Sequence, residues 1–82
     1  MKERRSYKGR VIEAWSFELK DGRGWDSAFF IEEHDSGGVT ETQFHIPTVF
    51  PTQQEAIEAA LAAGQQKIDL GFEHKHLVEN RH

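Results

Sequence analysis

The sequence predicts an α+β domain: a three-stranded antiparallel meander with one C-terminal helix packed on one face, in the order βββα. Three observations predict it. Residues 7–48 carry three runs in which apolar residues alternate with polar ones, rich in β-branched and aromatic side chains. That period of two belongs to half-buried strands. Two clusters, Asp21-Gly22-Arg23-Gly24 and Asp35-Ser36-Gly37-Gly38, separate the runs as turns. After Pro51 the apolar period lengthens to that of a helix.

The first strand is predicted over residues 7–20. One of its phases holds Val11, Glu13, Trp15, Phe17 and Leu19, and the other holds Ile12, Ala14, Ser16 and Glu18. Apolar residues occupy the second phase early and the first phase later. A bulge near Glu13 would produce that switch, because one extra residue reverses the facing. The second strand covers residues 25–34, with Trp25, Phe29 and Ile31 on one face and Ala28 and Phe30 on the other. The third covers residues 39–48, with Phe44 and Ile46 on one face. Pro47 cannot donate to a ladder, so this strand lies at an edge or ends there.

Thr52 followed by Glu55 is a capping box, in which the hydroxyl accepts from the backbone amide three residues on. Ile57, Ala60/Leu61, Gly64 and Ile68 then recur at helical spacing over an 18-residue segment, and Gly71 supplies a left-handed terminator. The buried stripe is rich in alanine and contains Gly64. Small residues there predict a close approach to the sheet, since glycine costs a helix about 1 kcal/mol against alanine.

With 82 residues the chain is one domain, expected as a flexible basic arm (1–6), the βββα body (7–71) and a polar tail (72–82). There is no cysteine, which excludes a disulfide scaffold and a thiolate zinc site and suits a reducing compartment. The N-terminal MKERRSYKGR lacks the apolar stretch of a secretory signal, and no run approaches the roughly 18 apolar residues of a membrane span. A cytoplasmic protein without membrane contact is the expectation.

The formal net charge of −4 is unevenly distributed. Residues 1–23 hold seven Lys or Arg and four acids, whereas residues 24–66 hold seven acids and no Lys or Arg. Lys2, Arg4, Arg5, Lys8 and Arg10 form a basic arm that would be the contact set of a nucleic-acid-binding protein. The anionic body opposes that use.

Tyr7-x-Gly9, Trp25, Phe50-x-Thr52-x-x-Glu55-Ala56 and Ile68-Asp69 form a spine over residues 7–71 that resembles two groups. One is a set of small bacterial β-β-β-α proteins that includes the haemolysin-regulator-like family. The other is the plant ethylene-response-factor DNA-binding domain. The resemblance implies a βββα fold and, through either group, a regulatory role. The plant domain reads DNA through arginines and tryptophans on its sheet. This chain departs from that pattern, offering Glu18, Asp26, Glu32, Glu33 and Glu41, with no Lys or Arg from Trp25 to Thr48.

No catalytic set emerges, and no enzyme activity, cofactor or metal is expected. Asp35-Ser36-Gly37-Gly38 matches a string found around protease nucleophiles, but a hairpin turn explains it. Glu73, His74, His76 and His82 lack the converging ligands of a zinc site. His34 and His45 fall on the second and third strands, where they could form a cross-strand pair. Glu32, Glu33 and Asp35 read as a solvated strand end. The expected site is the sheet face that a single helix leaves bare. The expected residues of that face are Ile12, Ala14, Ala28, Phe30, Gln43 and His45. Its expected partner is another protein or a second copy of the chain, rather than nucleic acid.

Overall fold

In the computed structural model, which describes residues 1–71, the run expected as one strand from residue 7 turns back on itself at its start. Lys8 and Gly9 take φ values of 50° and 80°. Positive φ at both central residues is what a two-residue hairpin of matching twist requires. Lysine is an uncommon occupant of the first position, so the usual Asn-Gly or Asp-Gly signal is absent. The turn joins β1 (Lys2–Tyr7) to β2 (Arg10–Glu18).

The sheet therefore has four strands, not three. A short turn (Lys20–Gly22) follows β2, then β3 (Trp25–Asp35), β4 (Gly38–Phe50) and the helix α1 (Gln53–Leu70). The strands pair antiparallel in the order β1-β2-β3-β4. The basic arm is the edge strand β1, whose six residues KERRSY carry almost no apolar pattern and are exposed except for half-buried Tyr7. Backbone pairing and cross-strand ion pairs hold it, and neither leaves a hydropathy signature. Met1 and Ser16 extend the ladder, each backbone N–H bonding the other's carbonyl.

No bulge occurs at Glu13, since the register runs unbroken from Val11↔Glu32 through Glu13↔Phe30 to Glu18↔Trp25. The irregularity lies between Trp25 and Ser27, where pairing with β4 jumps from Phe50 to Ile46. β2 therefore keeps one facing throughout. Ile12, Ala14 and Ser16 point to the helix, opposite Ile31, Phe29 and Ser27 of β3.

Thr52 caps α1 by accepting from the Glu55 N–H at 3.1 Å, and Gly71 closes the helix in the left-handed region at φ 78°. The buried stripe is Ala56, Ile57, Ala60, Leu61, Gly64 and Ile68. It packs mainly on β2 and β3. The core contains Ile12, Ala14, Phe29 and Ile31 from the sheet. Phe44 of β4 stacks on Phe29 with ring centroids 4.9 Å apart.

Gly64 explains the close fit. A Cβ added there would sit 2.7 Å from Ile12 Cγ2, inside van der Waals contact. The helix thus rests its backbone against the Ile12 side chain, which is fully buried. Ser27 adds a polar tie, its buried hydroxyl donating to the Ala56 carbonyl at 2.7 Å.

Candidate functional site

Strand alternation makes the face opposite the helix out of the remaining phase of each strand. The register arranges it in rows across the sheet. One row is Lys2, Trp15, Ala28 and His45; the next is Arg4, Glu13, Phe30 and Gln43; a third is Ser6, Val11, Glu32 and Glu41. Phe17 faces Asp26 at the far end.

Ala28, Phe30, Gln43 and His45 lie on this open face, as expected from the alternation of β3 and β4. Ile12 and Ala14 do not. Both are fully buried beneath α1. The residues in their place are Val11, Glu13, Trp15 and Phe17, the other phase of the strand. Bulk is the physical reason. A helix whose backbone at Gly64 touches the sheet leaves no room for Trp15 between the layers, whereas Ile12, Ala14 and Ser16 fit. The alanine-rich stripe of α1 was the available signal.

The apolar centre of the face is aromatic. Trp15 and Phe17 stack with centroids 5.8 Å apart and planes within 10°. Phe17 is 50% exposed, and Trp15 and Phe30 are half-buried. The Lys2 ammonium sits 5.1 Å over the Trp15 ring, a cation–π geometry.

Charge surrounds this centre. Glu13, Glu32 and Glu41 bring carboxylate oxygens within 4.8 Å of one another. The Arg4 guanidinium engages two of the three. It donates to both Glu32 oxygens at 3.2 Å and to Glu13 at 3.4 Å. The hydrogen bonds from Arg4 hold the Glu32 carboxyl below its usual range, and Glu32 in turn raises the pKa of Arg4. His34 approaches Glu32 at 3.6 Å, and His45 approaches Asp26 at 3.3 Å. Each histidine therefore has a carboxylate neighbour on this face. Lys2 reaches Glu13 at 3.7 Å. Among the described residues, protein cations thus reach Glu13 and Glu32 of this cluster.

All five basic residues of the expected nucleic-acid set stand beside carboxylates. Besides Lys2 and Arg4, Arg5 pairs with Glu3 at 3.6 Å, Lys8 with Asp69 at 2.6 Å and Arg10 with Glu33 at 3.2 Å. Tyr7 also donates to Asp69, so the β1–β2 hairpin is tied to the last turn of α1. The Lys8 ammonium and then the Tyr7 hydroxyl hold the Asp69 carboxyl below its ordinary value. These contacts join the two ends of the Tyr7-x-Gly9 to Ile68-Asp69 spine.

Comparison with protein families, curated proteins and solved structures found no match to this chain.

Ser36 and Gly37 form the β3–β4 turn, and Asp35 Oδ1 accepts from the Gly37 N–H at 2.8 Å. Beside β4, where α1 leaves the sheet partly uncovered, a groove of about 370 Å³ is lined by Phe44, Ile46, Ala63, Lys67 and Leu70. The Lys67 ammonium lies 5.1 Å over the Phe44 ring at this groove. Phe72, Glu73, His74, His76, Leu77, Val78 and His82 lie outside the described residues. Among the described residues no helix is long and apolar enough to cross a membrane.

Proposed function

We propose that this chain is a small binding or regulatory module that acts through protein–protein contacts on the open face of its sheet. One observation carries the reading. The stacked Trp15–Phe17 pair, with Phe30 and Ala28 beside it, forms an apolar centre on a face that the helix does not cover, rimmed by charge. Interaction surfaces share this anatomy of aromatic anchors inside a polar rim. Among the described residues, Phe17 is 50% exposed and lies outside the core beneath α1.

Nucleic acid is the competing partner, because exposed aromatics on a sheet can stack bases. Electrostatics weigh against it. The face carries Lys2 and Arg4 against Glu13, Asp26, Glu32 and Glu41, and both cations are spent on those acids. A phosphate backbone would have to displace these pairs and approach a net negative surface.

The test is affinity capture from cell extract with the wild-type chain and with Phe17→Glu. Phe17 is exposed and outside the core, so the variant folds. A partner, including the chain itself, that is retained by wild type and lost by the variant supports the reading. Equal capture by both, or retention of random single-stranded DNA at physiological salt in a gel shift, refutes it.

A further inference from the structure

We propose that the outer edge of β4 pairs antiparallel with the β4 edge of a second copy, about a twofold axis that passes between the two Gln43 residues, perpendicular to the sheet. This contact is separate from the open face and does not rest on it.

Backbone bonding decides what the edge offers. Met1 and Ser16 exchange both N–H···O bonds. In an antiparallel ladder such pairs alternate with pairs that exchange none. Followed through the three registers, the alternation turns the even-numbered residues from Gly38 to Ile46 toward β3. Val39, Glu41, Gln43 and His45 therefore direct N–H and C=O off the sheet, and all four are exposed. Pro47 is next in that outward phase, where its missing N–H breaks no bond of the sheet. Among the described residues β4 is the last strand on that side.

The two edges of the sheet differ. β1 carries Lys2, Glu3, Arg4 and Arg5 in succession, so charge stands on both its faces and guards its edge. β4 runs for 13 residues, and from Val39 to Ile46 it holds a single carboxylate, Glu41, and a single histidine, His45. A long edge with unpaired backbone and little charge is a template for another strand.

The order of residues in β4 suits a copy of itself. With the twofold at Gln43, Glu41 of each copy stands opposite His45 of the other. Among the described residues Arg4 bonds Glu13 and Glu32 of the carboxylate cluster but not Glu41. His45, 3.3 Å from Asp26 through Nε2, has a second ring nitrogen to offer. On the helix side Phe44 faces Thr42 and Ile46 faces Thr40, and Val39, 60% exposed, lies against Pro47. Such cross-strand pairs stabilise a sheet. Centring the axis on Thr42 or Phe44 parts Glu41 from His45, and centring it on Glu41 sets two carboxylates face to face. A β1 edge docked on β4 would be heterologous and would grow without closing, whereas the twofold closes and leaves only the guarded β1 edges outside. The Gln43 pair, the two Glu41–His45 pairs and the Val39–Pro47 ends supply about eight backbone hydrogen bonds. An edge contact of this length buries less than the roughly 800 Å² per partner of a standard interface, so the dimer is weak and reversible.

The experiment is solution mass by light scattering from about 10 μM to about 1 mM, with a disulfide arm. Wild type should rise with concentration from 9.4 kDa toward about twice that mass. Gln43→Pro removes only an outward N–H, so its circular dichroism should be unchanged. Losing two intermolecular hydrogen bonds, it should raise the dissociation constant at least about tenfold. Phe17→Glu, on the open face, should leave the dimer intact. The chain has no cysteine, so each introduced thiol is the sole one. Gln43→Cys should oxidise to a covalent dimer, since facing residues of a bonded pair lie about 5.5 Å apart at Cα. Glu41→Cys should not, because its own copy lies about 13 Å away along the strands.

A wild type that is monomeric throughout overturns the dimer, and a mass that climbs past twice the monomer overturns the twofold. A dimer indifferent to Gln43→Pro, or one lost in Phe17→Glu, moves the contact off the β4 edge and overturns the proposal while leaving the open face to be judged by its own capture test. Glu41→Cys cross-linking as readily as Gln43→Cys overturns the register.

Discussion

Gly64→Ala is the substitution that tests how closely the helix approaches the sheet. On helix propensity alone it should stabilise the chain by about 1 kcal/mol. The structure opposes that gain. The new methyl would lie 2.7 Å from Ile12 Cγ2, 3.1 Å from Cδ1 and 3.2 Å from Cγ1. Ile12 is fully buried among Ala14, Ile31, Ala60 and Leu61, so its side chain cannot swing into solvent. Overpacking of this kind costs about 1–3 kcal/mol. The balance is a net loss of about 1 kcal/mol, which in a domain this small lowers the Tm by roughly 4–8 °C. The assay is urea and thermal unfolding followed by tryptophan fluorescence and circular dichroism. A second background makes the reasoning sharper. Ile12→Ala removes all three clashing carbons and itself costs about 2–5 kcal/mol. On that background, with both proteins kept folded in a sucrose-containing buffer, Gly64→Ala should change sign and stabilise by about 1 kcal/mol. If Gly64→Ala stabilises the wild-type background, the helix does not rest on Ile12. The assignment of Trp15 and Phe17 to the open face then falls with it.

Three further outcomes are expected. Deleting residues 1–7 removes the edge strand, and it should lower the Tm by well over the roughly 4–8 °C that 1 kcal/mol represents here; an unchanged melting curve would make the segment a loose arm after all. Ser27→Ala loses the buried hydroxyl bond to the Ala56 carbonyl and should cost about 1 kcal/mol in urea unfolding, whereas a neutral result would mean the helix entry is held by packing alone. Asp69 has its pKa depressed by Lys8 and Tyr7, so its stabilising contribution is present above the unfolded value of about 3.9 and is lost as the pH falls through the folded value. Asp69→Asn should therefore lower stability at neutral pH and flatten the acid side of the stability–pH curve, and a parallel shift of the whole curve would refute the linkage.

How much could be read in advance depends on what kind of signal each element leaves. The helix was legible almost to the residue, since Thr52, the Ile57–Ile68 period and Gly71 are local features, and the structure keeps each of them. The β3–β4 hairpin was legible for the same reason, its turn written in Asp35, Ser36, Gly37 and Gly38. β1 was not, because an edge strand exposed on both faces needs no apolar alternation and its partner supplies the missing hydrogen bonds. Half of the open face, Ala28, Phe30, Gln43 and His45, followed from strand alternation. The other half was misassigned because both phases of β2 are apolar, with Ile12 and Ala14 in one and Val11, Trp15 and Phe17 in the other. Hydropathy cannot choose between two greasy phases. The distance between layers can.

By itself, then, the amino-acid order determined the α+β class, the antiparallel turns, the capped helix and the absence of any disulfide, for these depend on neighbours along the chain. Tertiary structure alone decided the fourth strand, the facing of β2 and the fate of the charges. The basic and acidic segments are far apart in sequence, with Arg4 28 residues from Glu32 and Lys8 61 from Asp69. Only sheet pairing and helix docking bring them together. Ion pairs and interlayer spacing act through space, so a one-dimensional pattern holds their components but not their meeting.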